Sequence, residues 1–272
     1  MHKYFKDKVV VITGASSGIG KALAMEFASM GSRIVMGARN EERLLQAMDD
    51  VKAAGAEVCG LSTDVSLEDD CKRLIEKGVE TFGSIDILIN NAGISMRALF
   101  EDTELDVIRQ LMDINFWGTV YCTKYALPYL LKSKGSLVGV SSIAGYKGLP
   151  GRTGYSSSKF AMHGFLETLR IENMKRGLHV LIACPGFTAS NIRNTALNEK
   201  GEVQGESPRD EGKMMSAEEV ARHIARAISK RKDRLTLTSQ GKLTVLLNKI
   251  CPKFLDKQVY KHMAKEPDSP FK

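Results

Sequence analysis

The chain has 272 residues, 43% hydrophobic and 26% charged, with a formal net charge of +7. Those proportions fit a soluble globular chain and exclude collagen-like, coiled-coil and largely disordered classes. At about 150 residues per domain the length allows one large domain or two small ones, and a core of that size folds without disulfides or metals.

Lys8 leads directly into Val9-Val10-Val11-Ile12-Thr13-Gly14. This run is too short and too early for a secretory signal, so a cytoplasmic location is expected. No apolar run reaches the roughly 18 residues of a membrane span. The apolar runs alternate with helical periodicities along the chain. Strands are predicted at Lys8–Thr13, Arg33–Gly37, Glu57–Leu61, Ile85–Asn90, Ser136–Ser141, His179–Cys184 and Arg234–Thr238. Helices are predicted at Gly18–Met30, Glu41–Ala54, Leu67–Thr81, Glu104–Lys132, Thr153–Arg176 and Ala217–Ser229. Strands that are continuous Val, Ile and Leu runs are buried on both faces, as in a parallel sheet covered by helices. The alternation predicts an α/β, doubly wound open sheet, whose ligands bind at the carboxyl ends of the strands.

The first such end is Thr13-Gly14-Ala15-Ser16-Ser17-Gly18-Ile19-Gly20. Glycines there permit a tight turn and close approach to a pyrophosphate, and the helix start offers free N–H groups and a positive dipole end. The second strand runs into Ala38, Arg39 and Asn40. A carboxylate near this point would favour NAD; a guanidinium suits the 2′-phosphate of NADP(H), unless Arg39 is only a solvated residue before a helix. Asp64, beside Val65, either accepts from an adenine amino group or caps the helix near Leu67. Asn90-Asn91-Ala92-Gly93 ends the fourth strand and offers backbone groups to a cofactor. Asn115 falls inside a predicted helix, where Asn has poor propensity. It either bends that helix and holds a water or lies on the surface.

Ser142 follows the fifth strand, thirteen residues before Tyr155. Its hydroxyl can bond a reacting oxygen, with Ser141 as the competitor. Tyr155 and Lys159 share one helix face, one turn apart. A phenol of pKa about 10 is a poor acid near neutrality. A neighbouring ammonium favours the phenolate and lowers that value. The five cysteines (Cys59, Cys71, Cys122, Cys184 and Cys251) have no C-x-x-C spacing and read as reduced thiols, and no metal-ligand cluster is visible.

The set Thr13-Gly14…Gly18-Ile19-Gly20, Asn90-Asn91-Ala92-Gly93, Asn115, Ser142, Tyr155, Lys159 and Pro185-Gly186 resembles the short-chain dehydrogenase/reductase family, over about residues 6–238. The resemblance implies a Rossmann domain with seven parallel strands. It implies Tyr155 as acid/base, Lys159 as ribose ligand and pKa modulator, Ser142 orienting the carbonyl, and Asn115 holding a relay water. It places Gly14, Ser16, Ser17, Gly18, Ile19, Gly20, Arg39, Asn40, Asp64, Val65, Asn91, Ala92, Gly93, Pro185, Gly186 and Thr188 at the cofactor, with Ile114 nearby. The substrate pocket would draw on Ser95–Arg97, Ile143–Arg152 and the loop at 187–215, where Met96, Tyr146, Leu149 and Phe187 either make it apolar or are ordinary packing. That loop is polar and holds three glycines, so it is expected to cover the site flexibly.

Four segments, Ala38–Ala47, Phe100–Asp102, Leu111–Phe116 and Gly118–Tyr121, are similar to 3-ketodihydrosphingosine reductases and to the 11β-hydroxysteroid dehydrogenase branch. The resemblance implies an NADPH-dependent reductase of an apolar ketone, such as 3-ketosphinganine. Its rivals are a broad-specificity soluble carbonyl reductase and a non-catalytic NADP-binding regulator. Trp117 either lies at the helix that pairs subunits in many members or is ordinary packing; a homodimer or homotetramer is expected.

Residues 230–272 hold 11 Lys/Arg against 4 Asp/Glu, whereas the rest of the chain balances at 28 of each sign. A nucleic-acid binder would spread its charge differently and interleave aromatics, so no nucleic-acid partner is expected. Within 239–272, read as an extension of the 1–238 domain, Leu243, Leu246, Leu247 and Ile250 follow helical spacing, as do Leu255, Val259 and Met263. Lysines recur every four residues from Lys249 to Lys265. Two amphipathic helices of this kind either lie on the inner face of an anionic membrane or pack beside the substrate loop.

Overall fold

A computed structural model of the chain describes residues 1–186, 188, 192, 194–205, 214–265 and 269. Seven strands form one parallel sheet: β1 Val9–Thr13, β2 Arg33–Ala38, β3 Val58–Ser62, β4 Ile87–Asn90, β5 Ser136–Val140, β6 His179–Cys184 and β7 Arg234–Thr236. Their order is β3-β2-β1-β4-β5-β6-β7, so the chain reverses direction between β1 and β4. Ligand crevices of doubly wound sheets open at such a reversal.

The continuous apolar runs are explained by burial on both faces. Val10 and Ile12 of β1 pack into one core with α2 Gly18–Ser29, α3 Glu41–Ala53 and α8 Ala217–Ser229. Val9 and Val11 pack into the other, with α4 Glu68–Phe82, α5 Leu105–Met112, α6 Gly118–Lys132 and α7 Thr153–Glu172. A short helix α1, His2–Phe5, precedes β1 and seats Phe5 against Phe27; the sequence reading had no element there. Helices α9 Ser239–Ile250 and α10 Pro252–Met263 follow β7. Among the described residues, no helix is long and apolar enough to cross a membrane.

Three expectations need correction. The single helix predicted at Glu104–Lys132 is three pieces, because a π turn at Asp113–Trp117 separates α5 from α6. The wider turn directs the Asn115 side chain inward. There it accepts from Ile94 N at 2.8 Å and donates to Ile94 O at 3.0 Å and Ser158 Oγ at 2.9 Å. Asn115 is therefore fully buried, and the surface alternative is excluded. The helix predicted at Thr153–Arg176 ends at Glu172 and continues as a 3-10 turn, Met174–Arg176, closed by left-handed Gly177. Within the loop at 187–215, residues 194–205 form a hydrogen-bonded hairpin and not a loose cover. Asn198 Oδ1 accepts from Lys200 N and Glu202 N, Gln204 Nε2 donates to Arg97 O, and Leu197 bridges both Met96 and Val203.

Candidate active site

The glycine turn is shaped by contacts that leave no room for side chains. Gly14 has φ +64°, and a Cβ there would lie 2.9 Å from Ala92 Cα. A Cβ on Gly20 would strike the Gly14 carbonyl oxygen. Thr13 Oγ1 accepts from Asn91 N and Ala92 N at 3.0 and 3.1 Å, and Asn91 Nδ2 donates to Thr13 O and Gly14 O. These bonds tie the ends of β1 and β4 together at the reversal point.

A cavity of about 580 Å³ opens there. It is lined by Gly14, Ser16, Ser17, Ile19, Arg39, Asn40, Asp64, Val65, Asn91, Ala92, Gly93, Ser142, Tyr155, Lys159, Pro185, Gly186 and Thr188. Of the catalytic and cofactor-binding residues expected from the sequence, Gly18, Gly20 and Asn115 are not in that lining. Gly18 begins α2, Gly20 sits against Gly14, and Asn115 stands behind Gly93, where a Cβ would lie 3.0 Å from Asn115 Oδ1 and 3.5 Å from Lys159 Nζ.

Tyr155 and Lys159 share one face of α7, with Lys159 Nζ 5.8 Å from the Tyr155 ring centroid. Lys159 Nζ donates to Val140 O at 3.1 Å, and burial lowers its pKa from 10.5 to about 8. Such an ammonium stabilises a neighbouring phenolate. The two serines differ in their partners. Ser141 Oγ shares a 2.7 Å hydrogen bond with His163 Nε2, whereas Ser142 Oγ accepts from Ala144 N at 3.2 Å, capping the 3-10 turn Ile143–Gly145. Both serines line the cavity, and with this bond accepted the Ser142 hydroxyl can still donate.

Asn40 and Asp64 also serve local structure. Asn40 caps α3 through Arg43 N at 2.8 Å. Asp64 Oδ1 accepts from Ser66 N and Oγ, while the N-cap position of α4 is Leu67. Asp64 therefore shapes the turn before α4 while also facing the cavity.

Sequence reading missed Arg43, which lines the cavity with Arg39. Its position four residues after Arg39, in the first turn of the next helix, was the available signal. It also missed Gln110. At the remaining wall stand Ser95, Leu149, Arg152, Leu197 and Val203. Arg152 is buried and its Nη1 donates to Ser95 Oγ and Met96 O, both at 3.2 Å. Of the four apolar candidates, Leu149 lines the cavity. Met96 is fully buried and paired with Leu197, and Tyr146 sets its ring edge against His163. Phe187 lies outside the described residues, as do Ala189 to Asn191 of the substrate loop. Among the described residues, no group of three or more His, Cys, Asp or Glu could hold a metal.

Residues 8–201 match the family model for the short chain dehydrogenase. The chain is 38% identical over 257 residues to 11-beta-hydroxysteroid dehydrogenase A of Arachis hypogaea, covering 92% of this chain and 73% of that one. It is 38% identical over 250 residues to 11-beta-hydroxysteroid dehydrogenase-like 4A of Arabidopsis thaliana, covering 91% and 82%. A short chain dehydrogenase/reductase from Burkholderia phymatum, solved in complex with NAD, superposes with a TM-score of 0.83 at 26% identity, over 92% of this chain and 95% of that one. An alcohol dehydrogenase from the archaeon Thermococcus sibiricus, complexed with 5-hydroxy-NADP, gives 0.74 at 26%, over 85% and 94%. With the glycine turn, the parallel sheet and the Tyr155–Lys159 helix face already in place, the chain belongs to the short-chain dehydrogenase/reductase family, in its 11β-hydroxysteroid dehydrogenase-like branch, and is an oxidoreductase of CH–OH and C=O groups.

Proposed function

We propose that the chain is an NADPH-dependent carbonyl reductase and alcohol dehydrogenase acting on an apolar ketone, with Tyr155 as its proton donor. The observation that carries this reading is the convergence of Tyr155, Lys159 and Ser142 on one cavity whose other walls are the glycine turn and Arg39. The residues fit a dinucleotide. Gly14 and Gly93 line the cavity at positions where a Cβ would crowd Ala92 and Asn115, and Gly18 opens α2, whose first N–H groups lack intrahelical partners and lie at its positive dipole end. Gly14, Ser16, Ser17, Gly18, Ile19 and Gly20 would hold the pyrophosphate, and Asp64 and Val65 the adenine. Asn91, Ala92, Gly93, Pro185, Gly186 and Thr188 would line the nicotinamide end. Arg39 and Asn40, joined by Arg43, would meet a 2′-phosphate, which favours NADPH over NADH.

When bound, NADPH supplies hydride to the carbonyl carbon. Tyr155 gives its phenolic proton to the carbonyl oxygen, and the Lys159 ammonium stabilises the phenolate left behind. Ser142, which accepts from Ala144 N and keeps its O–H as a donor, hydrogen-bonds the same oxygen. Asn115 and Lys159 flank Gly93, where a relay water would return a proton to Tyr155.

Relatives named for hydroxysteroids favour a bulky apolar ketone as substrate, and 3-ketosphinganine rests on the sequence resemblance alone. Buried Arg152, with Ser95 and Gln110 on the same cavity, favours a second reading: a broad-specificity reductase that accepts polar soluble ketones. NADPH oxidation, followed with 3-ketosphinganine in mixed micelles and with a panel of small ketones, separates them. Turnover of the long-chain ketone supports the first reading and turnover of soluble ketones alone the second. No turnover of any carbonyl overturns the reductase and leaves a cofactor-binding regulator.

We read residues 1–238 as the catalytic domain, with its substrate loop at 187–215, and 239–272 as a docking extension. Its helix α9 abuts the site: a Cβ on Gly186 would strike Thr238, the residue that caps α9, and Asn248 Nδ2 near the end of α9 donates to Tyr146 O. Leu255 and Met263 pack inward, whereas Leu243, Leu246, Ile250 and Phe254 are each more than half exposed. Lys242, Lys249, Lys253 and Lys257 are exposed among them, which favours peripheral contact with an anionic lipid surface. Exposed Trp117, stacked on Tyr121, and exposed Phe160 favour pairing of two subunits through the helices beside the site.

A further inference from the structure

Buried polar side chains outside the proposed chemistry concentrate beneath Lys159. His163 lies one turn further along α7 and is 6% exposed. Its Nε2 is 2.7 Å from Ser141 Oγ and 3.7 Å from Cys184 Sγ. The ring is boxed in. Tyr146 packs edge-on at 4.7 Å between centroids, and a Cβ on Gly145 would come within 2.6 Å of Nε2, so glycine is the residue that leaves the ring its place.

Two consecutive turns of α7 therefore grip two consecutive residues at the carboxyl end of β5. Lys159 holds Val140 through its carbonyl, and His163 holds Ser141 through its hydroxyl. The next residue is Ser142. We propose that His163 is a positioning residue: by engaging Ser141 it fixes the β5 end against α7, so that Ser142 and not Ser141 presents its hydroxyl to the oxygen that Tyr155 protonates. This rests on the reductase reading above.

The chemistry of the ring suits the task. Burial, with Arg234 and Lys159 nearby, lowers the His163 pKa from 6.5 to about 4. At neutral pH it is an uncharged hydrogen-bonding group that adds no second cation beside Lys159. A lysine or arginine at the same place would compete with Lys159 for the phenolate, and an apolar side chain would release Ser141.

The test uses the full chain with NADPH and a ketone that the wild type reduces. His163→Leu should lower kcat by about ten- to a hundredfold, the scale of a small misplacement at a reacting centre. NADPH binding, read by nicotinamide fluorescence, should stay at the wild-type level. Ser141→Ala should lower kcat to a similar degree, and the double variant should be no worse than either single one, because both break the same bond. His163→Gln, which can still reach Ser141, should recover most of the rate. A His163→Leu enzyme within twofold of wild-type kcat overturns the proposal. So do losses that multiply in the double variant, or a parallel loss of NADPH affinity, which marks a general packing role. A wild type that binds NADPH but reduces no ketone overturns the reductase reading and this inference together. Wild-type turnover with an indifferent His163→Leu overturns the inference alone.

Discussion

Arg39 and Arg43 stand four residues apart at the end of β2 and the start of α3, and both face the cavity. A charge-assisted hydrogen bond is worth about 1.5–3 kcal/mol, which is roughly ten- to a hundredfold in affinity. Arg39→Ala should weaken NADPH by that factor and leave NADH nearly unchanged, as titration of each nucleotide would show. Equal losses for the two would remove the 2′-phosphate from the account. Lys159 makes a second prediction. Its pKa is lowered to about 8 by burial, so the cation proposed to support Tyr155 is present below that pH and lost above it. Ketone reduction should hold level up to about pH 8 and decline beyond. Lys159→Arg, which cannot deprotonate, should remove that limb from whatever activity it retains. A wild-type profile level to pH 10 contradicts the assignment. At this scale the sequence was informative where chemistry leaves a spaced signature, as in Tyr155, Lys159 and the glycine turn. It was silent where a side chain acts through a distant partner. Nothing near Arg152 in the chain announces Ser95, and nothing near His163 announces Ser141.

Among the elements, the strands were legible because continuous Val and Ile runs have one explanation, burial on both faces. The helix carrying Asn115 was not, because a π turn leaves the apolar periodicity on either side intact. The only local sign was the poor helical propensity of Asn115. The substrate loop was read from its glycines as loose. Its described part is instead fixed by the Asn198 side chain and by Gln204 reaching back to Arg97 O, contacts that composition does not reveal. The paired helices α9 and α10 carry the element-scale prediction. The α9 stripe Leu243, Leu246 and Ile250 is exposed and bordered by Lys242 and Lys249, and each lysine near an anionic surface adds about 1 kcal/mol. The chain should float with phosphatidylglycerol vesicles and not with phosphatidylcholine vesicles. Leu246→Glu with Ile250→Glu should abolish flotation without altering turnover of a soluble ketone. Failure to float with anionic vesicles returns α9 and α10 to a packing role.

Across the whole molecule, charge and function are segregated. The balanced 229-residue body holds the sheet and the cavity, and the last 43 residues hold the full excess of +7. Topology brings the body's scattered motifs together, since the carboxyl ends of β1, β2, β4, β5 and β6 all open on one crevice. The exposed aromatics Trp117 and Phe160 lie on the outer side of the helices that position Asn115 and Lys159. Trp117→Glu with Phe160→Glu should therefore convert a dimer or tetramer to a monomer by light scattering. A wild type that is already monomeric contradicts that pairing face. The most direct test of the central claim is Tyr155→Phe, which removes one hydroxyl and little else. NADPH should bind this variant as it binds the wild type, while ketone reduction falls by at least about a hundredfold, the scale of a lost general acid. A variant that keeps most of its turnover contradicts the account of Tyr155 as the proton donor.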